Sequence, residues 1–244
     1  MTKGIYIVGT DTDVGKTVVS AGIMHVLRSK GYNATYFKAA LSGALIDKNN
    51  NIVPEDTRLV STLSNLKEDY QNTTAYIFKT AVSPHLASKI ENIEINVEHI
   101  KEKFNSLKNK YDYIVAEGSG GICCPLIEKE NKVYMLYHLI KELNIPVLLV
   151  STTKVGSINH TLLTIEFIKK LGINIKGIIF NSFKNTFYEK DNINIIKKLT
   201  NIPIIATLPF IDTAPGVQKM EESLKQVSKK LFQAESLIEI MEKI

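Results

Sequence analysis

The feature that most constrains this chain is a glycine-bearing loop near its start, residues 9–17, with the sequence GTDTDVGKT. The apolar run before it, residues 5–8, predicts a buried strand, and the periodic segment after it, residues 18–27, predicts a helix. In this order, backbone N–H groups and the helix N-terminus can surround a polyphosphate, a lysine can reach the β- and γ-phosphates, and a threonine hydroxyl can ligate Mg²⁺. The loop therefore predicts a nucleoside triphosphate site that uses Lys16 and Thr17.

The loop departs from the strict pattern G-x-x-x-x-G-K-[ST]. Five residues separate Gly9 from Gly15, and Thr10 occupies the place of the first glycine. The alternative is an ordinary turn between a strand and a helix, with a chance Gly-Lys-Thr. The strand before and the helix after favour the phosphate loop, because both lie where the mechanism requires them.

Short β-rich runs alternate with longer helical patterns over the whole chain, which predicts βαβ units. We expect a single α/β domain of the P-loop NTPase type over residues 1–244, with a mostly parallel sheet flanked by helices on both faces. Strands are predicted near 4–9, 34–38, 112–117, 146–151, 175–181 and 203–207. Helices are predicted near 16–30, 56–64, 84–90, 96–109, 133–143, 158–171 and 188–199, and the region 40–75 is the least regular.

The C-terminal segment, residues 217–244, predicts one or two amphipathic helices packed on the body. A basic amphipathic tail could instead bind a membrane surface, but this one also carries five glutamates.

The net charge of +5 comes from scattered lysines, which argues against a nucleic-acid partner. The adjacent Cys123 and Cys124 suit neither a disulfide framework nor a metal site. With no signal-peptide layout and no apolar run of membrane-spanning length, we expect a cytoplasmic protein with no membrane partner.

Four motifs in order carry a resemblance to a known family: the loop at 9–17, KAALSG at 38–43, SPH at 83–85 and EGSGG at 117–121. Together they resemble dethiobiotin synthetase, the ATP-dependent carboxylase that closes the ureido ring on the biotin pathway. The similarity runs from residue 5 to about residue 211. The resemblance implies a ligase that uses ATP as co-substrate and Mg²⁺ to convert 7,8-diaminononanoate and CO2 to dethiobiotin.

The resemblance also implies two catalytic lysines, Lys38 and Lys16, which would neutralise carbamate and γ-phosphate oxygens. From sequence alone, a solvated strand end would explain Lys38 more often than a functional role. The family normally has proline after this lysine, and Ala39 stands there in this chain.

The resemblance implies a magnesium site made of Thr17, Asp56 and Glu117. Asp56 lies at a predicted helix start, where a capping role alone would explain it. Glu117 has independent support, because it ends an apolar strand at the sheet edge where ligands bind. Mg²⁺ prefers such hard oxygen ligands, completed by phosphate and water.

The remaining site residues also follow from the resemblance. Nucleotide contacts are expected from Thr12, Asp13, Val14, Gly15, Lys16, Thr17, Asp56, Glu117, Gly118, Ser119 and Gly120, and, beside the base, from Asn181, Ser182, Pro209, Phe210 and Ile211. Diamine contacts are expected from Ser42, Gly121, Gly156, Ser157, Ile158 and Asn159. The last four would come from a neighbouring subunit and receive the diamine carboxylate at a helix N-terminus, which implies a homodimer with the substrate site at its interface. The family often has aspartate where Ser182 stands.

Three alternatives stay open at this point. His85 could be a general base, although Ser83-Pro84 before it fits a plain helix start. The chain could be a P-loop switch ATPase of the partitioning or positioning type, but those proteins typically carry an additional lysine early in the loop, where residues 10–12 have none. An amidotransferase synthetase of the cobyrinic acid type would need a glutaminase domain beyond the end of this chain.

Overall fold

The computed structural model describes residues 1–130, 132–212, 214 and 216–244. Within these residues the first half of the chain forms β1 (Lys3–Gly9), α1 (Lys16–Ser29), β2 (Ala34–Ser42), β3 (Leu45–Ile46), β4 (Ile52–Val53), α2 (Glu55–Ser64), α3 (Tyr70–Thr73), β5 (Thr74–Phe78), α4 (Pro84–Glu91), α5 (Val97–Lys110) and β6 (Tyr113–Gly121). The second half forms β7 (Pro125–Lys129), β8 (Lys132–Met135), α6 (Leu136–Glu142), β9 (Val147–Thr152), α7 (Ser157–Lys170), β10 (Ile175–Phe183), α8 (Phe187–Thr200), β11 (Ile204–Pro209), α9 (Val217–Leu231), α10 (Ala234–Ile240) and β12 (Glu242–Lys243).

The central sheet has the strand order β11-β10-β9-β1-β6-β2-β5, and neighbouring strands in this order are parallel. Helices cover both faces. Phe37 of β2 packs edge-on against Phe104 of α5 on one face. On the other face, the next residue of the strand, Lys38, points to the side where α1 begins. The predicted α/β fold class, with a parallel sheet between helices, is confirmed.

Burial on both faces explains why β1 is almost entirely apolar and why it lies in the middle of the sheet. Ile5, Ile7 and Val8 are at most 1% exposed, and α1, which follows the loop, is itself largely buried. Each such side chain contributes about 1.5–3 kcal/mol on burial. The phosphate loop therefore connects two of the best-anchored elements in the fold.

Near the cleft edge the structure corrects several predicted boundaries. Strand β2 continues past the predicted end at residue 38 to Ser42, with Ala39 and Ala40 buried within it. It pairs with β5, which is not among the predicted strands. β5 overlaps the end of the irregular region 40–75. The strand predicted at 112–117 extends to Gly121.

A second correction concerns the helix predicted at 133–143. Residues Lys132–Met135 form β8, which pairs with β7 in an antiparallel hairpin, and α6 begins only at Leu136. The apolar spacing of this segment does not distinguish the hairpin from the first turn of a helix.

The C-terminal helices α9 and α10 lie against the body of the domain. Leu224 and Leu237 are buried, and a side chain at Gly22 of α1 would meet the hydroxyl of Ser228 at 2.5 Å. After α10 the chain returns to the sheet, where β12 pairs antiparallel with the start of β1. Among the described residues, no helix combines the length and apolar character needed to cross a membrane.

Candidate active site

A cleft of about 760 Å³ opens where β1, β2 and β6 end. Parallel strands of an open α/β sheet typically bind their ligands at this edge. Most of the residues predicted for the nucleotide, the metal and the reaction line it: Thr12, Asp13, Gly15, Lys16, Thr17, Lys38, Ser42, Asp56, Glu117, Gly118, Ser119 and Gly120. The structure thus brings residues that are distant in sequence to one site.

The phosphate loop turns sharply between β1 and α1. Asp13 and Gly15 both have positive φ angles, 58° and 91°. At Gly15 any side chain would collide with the amide of Asn181, so this position requires glycine for space as well as for conformation. Lys16 folds back so that its Nζ donates to the Asp11 carbonyl at 3.0 Å. Burial lowers the pKa of the Lys16 amine, and the negative charge of Glu117 opposes that shift.

The charged centre of the cleft is a cluster around Glu117, which is 1% exposed. Its Oε1 accepts hydrogen bonds from Thr17 Oγ1 at 2.8 Å and from Lys38 Nζ at 2.7 Å. Lys38 Nζ also donates to Asp56 Oδ2 at 2.6 Å. Two carboxylates and a threonine hydroxyl therefore converge on one small region beside the phosphate loop.

The protonation states in this cluster follow from its charges. Burial alone would lower the pKa of Lys38, but Glu117 and Asp56 more than offset it and raise that pKa above its ordinary value. Burial alone would raise the pKa of Asp56, and the ammonium of Lys38 instead holds it below its ordinary value. At neutral pH, Lys38 is a cation and Asp56 is an anion.

Asp56 does not cap its helix in this structure. The N-cap position of α2 is Pro54, and the Asp56 side chain makes the ion pair with Lys38 instead. Capping is therefore not what holds this carboxylate in place, and its position beside Glu117 suits the predicted metal set.

The glycine-rich segment after Glu117 is part of β6 and is closely packed. A side chain at Gly118 would meet Leu136 Cδ2 at 2.6 Å, and Gly120 has a positive φ angle of 61°. Ser119 lines the cleft while its Oγ donates to the carbonyl of Ala40 in β2. Gly121 pairs in register with Gly9, so the segment lies directly beside the start of the phosphate loop.

The residues predicted beside the base lie at the ends of β10 and β11. Asn181 is buried, and its Nδ2 donates to the carbonyl of Val14 at 3.1 Å, which ties β10 to the phosphate loop. Ser182 follows with a positive φ angle of 60°. Phe210 is 52% exposed, and Lys184 Nζ lies 5.0 Å from its ring centre. Pro209 pairs with Phe183 across the two strands, and Ile211 packs against the core.

The segment Gly156–Asn159 lies outside the lining of this cleft. Gly156 is the N-cap of α7 with a positive φ angle of 93°, Ser157 is buried, and Asn159 is exposed. These residues follow β9 on the far side of β1 from Lys38. The structure therefore does not bring them together with Lys38 of the same chain.

Sequence reasoning missed part of the cleft wall. Ala81 and Val82 line it, from the turn that leads from β5 to α4, beside Ser83 and Pro84 of the SPH motif. Ser83, at the N-cap of α4, bonds through Oγ to His85 Nδ1 at 3.0 Å and caps no backbone group. Tyr36 was missed as well, although its hydroxyl donates to Glu117 Oε2 at 3.0 Å. A tyrosine in a buried strand reads as core, so the sequence carries no signal for this contact.

The two cysteines have weakly acidic thiols, and Cys124 also lines the cleft. Both are free, and burial raises the pKa of the Cys123 thiol and raises that of Cys124 to about 11. Within residues 1–130, 132–212, 214 and 216–244, no group of three or more His, Cys, Asp or Glu side chains could hold a metal ion. A metal site here would depend on fewer protein carboxylates together with nucleotide oxygens.

Comparison with known proteins places this geometry in a family. A family model described as an AAA domain matches residues 3–216. The chain is 52% identical to ATP-dependent dethiobiotin synthetase BioD of Clostridium kluyveri over 244 residues, which covers both chains completely. It is 56% identical over 212 residues to the protein of the same name from Clostridium novyi, covering 86% of this chain and 89% of that one.

Solved structures share the fold at much lower sequence identity. The MinC:MinD cell division protein complex of Aquifex aeolicus matches with a TM-score of 0.60 at 16% identity, covering 100% of this chain and 98% of that chain. A ParA family ATPase from Chlorobium tepidum matches with a TM-score of 0.55 at 18% identity, covering 98% and 97%. These likenesses concern the fold alone. Because relatives that match over nearly the whole chain share about half of its residues, the chain belongs to the family of ATP-dependent dethiobiotin synthetases.

Proposed function

We propose that this chain, an ATP-dependent ligase of the biotin pathway, closes the ureido ring of 7,8-diaminononanoate with CO2 to give dethiobiotin, ADP and phosphate. The observation that carries the proposal is the convergence of Thr17, Lys38 and Asp56 around Glu117, beside a phosphate loop and within one cleft. Such an arrangement suits the transfer of a phosphoryl group, in which positioning and charge stabilisation do most of the work.

The reaction would begin when one amine of the substrate captures CO2 as a carbamate. A carbamate oxygen then attacks the γ-phosphate of ATP, and ADP leaves. The second amine attacks the carbonyl carbon of the resulting carbamic-phosphoric anhydride, which expels phosphate and closes the ring. Lys16 and Lys38 are the cations that would stabilise the oxygens between which negative charge moves. Ser42 lines the cleft, and its hydroxyl has no hydrogen-bond partner among the described residues, so it is a candidate contact for the substrate.

The donor set fits Mg²⁺. Thr17 Oγ1, Asp56 and Glu117 offer hard oxygens, and the two carboxylates already share one cation, the ammonium of Lys38. When bound, Mg²⁺ would supply charge neutralisation at the nucleotide phosphates. Mg²⁺ would then balance part of the negative charge of the two carboxylates. The ammonium of Lys38 would become available to the carbamate and the γ-phosphate.

We also propose that the enzyme works as a homodimer. The segment Gly156–Asn159 lies apart from the cleft of its own chain, and free N–H groups at the N-terminus of α7 can receive a carboxylate. Val155, directly before it, is 82% exposed, and Phe187, at the start of α8, is 84% exposed; exposed apolar side chains of this kind suit a contact with a second copy. The segment of one subunit would thus complete the diamine site of the other.

The decisive assay incubates purified protein with MgATP and bicarbonate, with and without 7,8-diaminononanoate, and identifies the product by mass. We expect phosphate and dethiobiotin to be formed together and only when the diamine is present. ATP hydrolysis that is independent of the diamine and yields no dethiobiotin would overturn the proposal. That result would favour a switch ATPase, which ATP-dependent cosedimentation with lipid vesicles or DNA would then test.

A cytosolic location is part of the proposal. Cys123 and Cys124 are both free thiols, as is usual for proteins of a reducing compartment.

A further inference from the structure

Tyr36 contacts the charged centre from the core side. Its side chain is fully buried, and its hydroxyl donates to Glu117 Oε2 at 3.0 Å. The other oxygen of the same carboxylate, Oε1, accepts from Thr17 and Lys38. The two oxygens of Glu117 therefore have different partners, and Tyr36 is the partner that holds the oxygen facing away from the phosphate loop.

The register of the sheet explains this contact. Lys38 of β2 lies opposite Glu117 of β6, and Tyr36 lies opposite Val115. Since alternate residues of a strand share a face, Tyr36 and Lys38 point to the same side of the sheet as Glu117. A phenol is long enough to reach one pair further along the strands, from the position beside Val115 to the carboxylate of Glu117.

We infer that Tyr36 is a positioning residue of the active site: its hydroxyl fixes the rotation of the Glu117 carboxylate so that Oε1 is presented to Thr17 and to the divalent cation that accompanies ATP. This inference rests on the proposed function, in which Glu117 is a metal ligand. Partners that orient a ligating carboxylate from behind typically change metal affinity or activity by about 10- to 100-fold when they are removed.

The chain contains a matched control for this role. Tyr6 of β1 is also fully buried, but its hydroxyl has no hydrogen-bond partner among the described residues. Both tyrosines contribute an aromatic ring to the core, and replacing either with phenylalanine keeps that ring. Only Tyr36→Phe removes a hydrogen bond to Glu117, so the comparison separates orientation of the carboxylate from packing.

The first experiment measures binding of Mn²⁺, a spectroscopic substitute for Mg²⁺, to each variant in the presence of a non-hydrolysable ATP analogue. For Tyr36→Phe we expect Mn²⁺ affinity to fall roughly tenfold, while the analogue without metal binds within about twofold of wild type, because phosphate-loop contacts are unchanged. Dethiobiotin formation should fall at limiting Mg²⁺ and recover at excess Mg²⁺. Tyr6→Phe should match wild type in each measurement. Equal Mn²⁺ affinity in the two variants would overturn the inference.

The second experiment tests whether Tyr36 acts through Glu117. Mn²⁺ binding is compared for Glu117→Gln alone and for Glu117→Gln combined with Tyr36→Phe. If the hydroxyl acts by orienting the carboxylate, the second substitution adds no further loss once the carboxylate is gone. A loss of the same size in both backgrounds would show that Tyr36 acts elsewhere and would overturn the inference, even if Tyr36→Phe alone had weakened binding.

The two proposals fail in different ways. If wild-type protein makes no dethiobiotin, the proposed function fails, while the Mn²⁺ measurements still decide the role of Tyr36. If wild-type protein makes dethiobiotin but Tyr36→Phe behaves like Tyr6→Phe, only the role of Tyr36 fails.

Discussion

Lys38 is the residue on which the charge balance of the site depends. It is 3% exposed and pairs with both Glu117 and Asp56. A buried ammonium is stable only when its charge is compensated, and the same holds for the buried carboxylate of Glu117. Lys38 is therefore at once a counter-ion in the free protein and the candidate stabiliser of charge in the reaction.

Lys38→Ala should keep ATP binding and lose most turnover, by roughly 100-fold or more if its charge stabilises the transition state. Without Mg²⁺, the free energy of unfolding should also fall by about 3–5 kcal/mol, because Glu117 is left buried without a cation. Added Mg²⁺ should restore part of it. Steady-state kinetics, nucleotide titration and urea unfolding with and without Mg²⁺ measure these effects.

The control for this prediction is Lys169→Ala. Lys169 forms an exposed pair with Glu166, and such pairs contribute about 0–1 kcal/mol. Wild-type turnover in Lys38→Ala would remove Lys38 from the mechanism.

At this scale the sequence identifies charged residues better than it identifies their partners. A lysine at a strand end and a glutamate after an apolar run are visible as patterns, whereas the register that sets Lys38 opposite Glu117 depends on tertiary packing. The role of Tyr36 cannot be predicted from the sequence either, because a tyrosine in a buried strand looks like an ordinary core aromatic residue.

The N-terminus of α8 shows how an element is fixed beside the site. Glu189 is 3% exposed, and its carboxylate accepts from the Thr153 hydroxyl after β9, from the backbone of Lys184 and from Thr186. Burial alone would raise the pKa of Glu189, but these hydrogen bonds lower it to about 2. The carboxylate thus connects the loop that leads to α7 with the start of α8.

Glu189→Gln should lower the free energy of unfolding at pH 7 by about 1–3 kcal/mol, since an amide cannot accept from all these donors. The folded-state pKa lies below the ordinary 4.5, so the carboxylate stabilises the fold above pH 4.5 and loses this contribution as pH falls toward 2. The difference between wild type and variant should therefore be smaller at pH 3 than at pH 7 in urea unfolding. Glu166→Gln, on an exposed helix face, is the control, and an equal difference at both pH values would contradict the prediction.

Elements with strong periodicity were predicted correctly, whereas the short strands β5, β7 and β8 were not. The apolar residues of α1 follow the helical period over 14 residues, and the apolar run of β1 fits a buried strand before a glycine-bearing loop. Strand β5 has five residues, and its position at the sheet edge depends on the extension of β2 to Ser42. Most of β8 falls within the predicted helix 133–143, because its few apolar residues fit both periods.

At the scale of the whole molecule, the fold alone does not determine the function. The same fold occurs in a cell division protein complex and in a ParA family ATPase at under 20% identity, so the fold does not select the reaction. The site itself is local: Lys38 within β2, Glu117 within β6, and, outside the lining of this cleft, a segment at the N-terminus of α7. The segment therefore either completes the site of a second copy of the chain or has another role.

Mixing two inactive variants decides between these possibilities. Asn159→Asp adds a negative charge near the N-terminus of α7, which suits the helix but should repel the substrate carboxylate. Asn159→Ala, without that charge, should be much milder. In a mixed dimer of Lys38→Ala with Asn159→Asp, one of the two sites has both an intact lysine and an intact segment, so random mixing should recover about a quarter of wild-type activity.

The recovery should appear only after the subunits are allowed to exchange, and sedimentation of the same samples should show dimers. If the segment served its own chain, each chain in the mixture would carry a defective site, and activity would stay at the level of the separate variants. That outcome, or a monomer at assay concentration, would contradict a site shared between subunits and would leave Gly156–Asn159 as a surface loop beside a self-contained cleft.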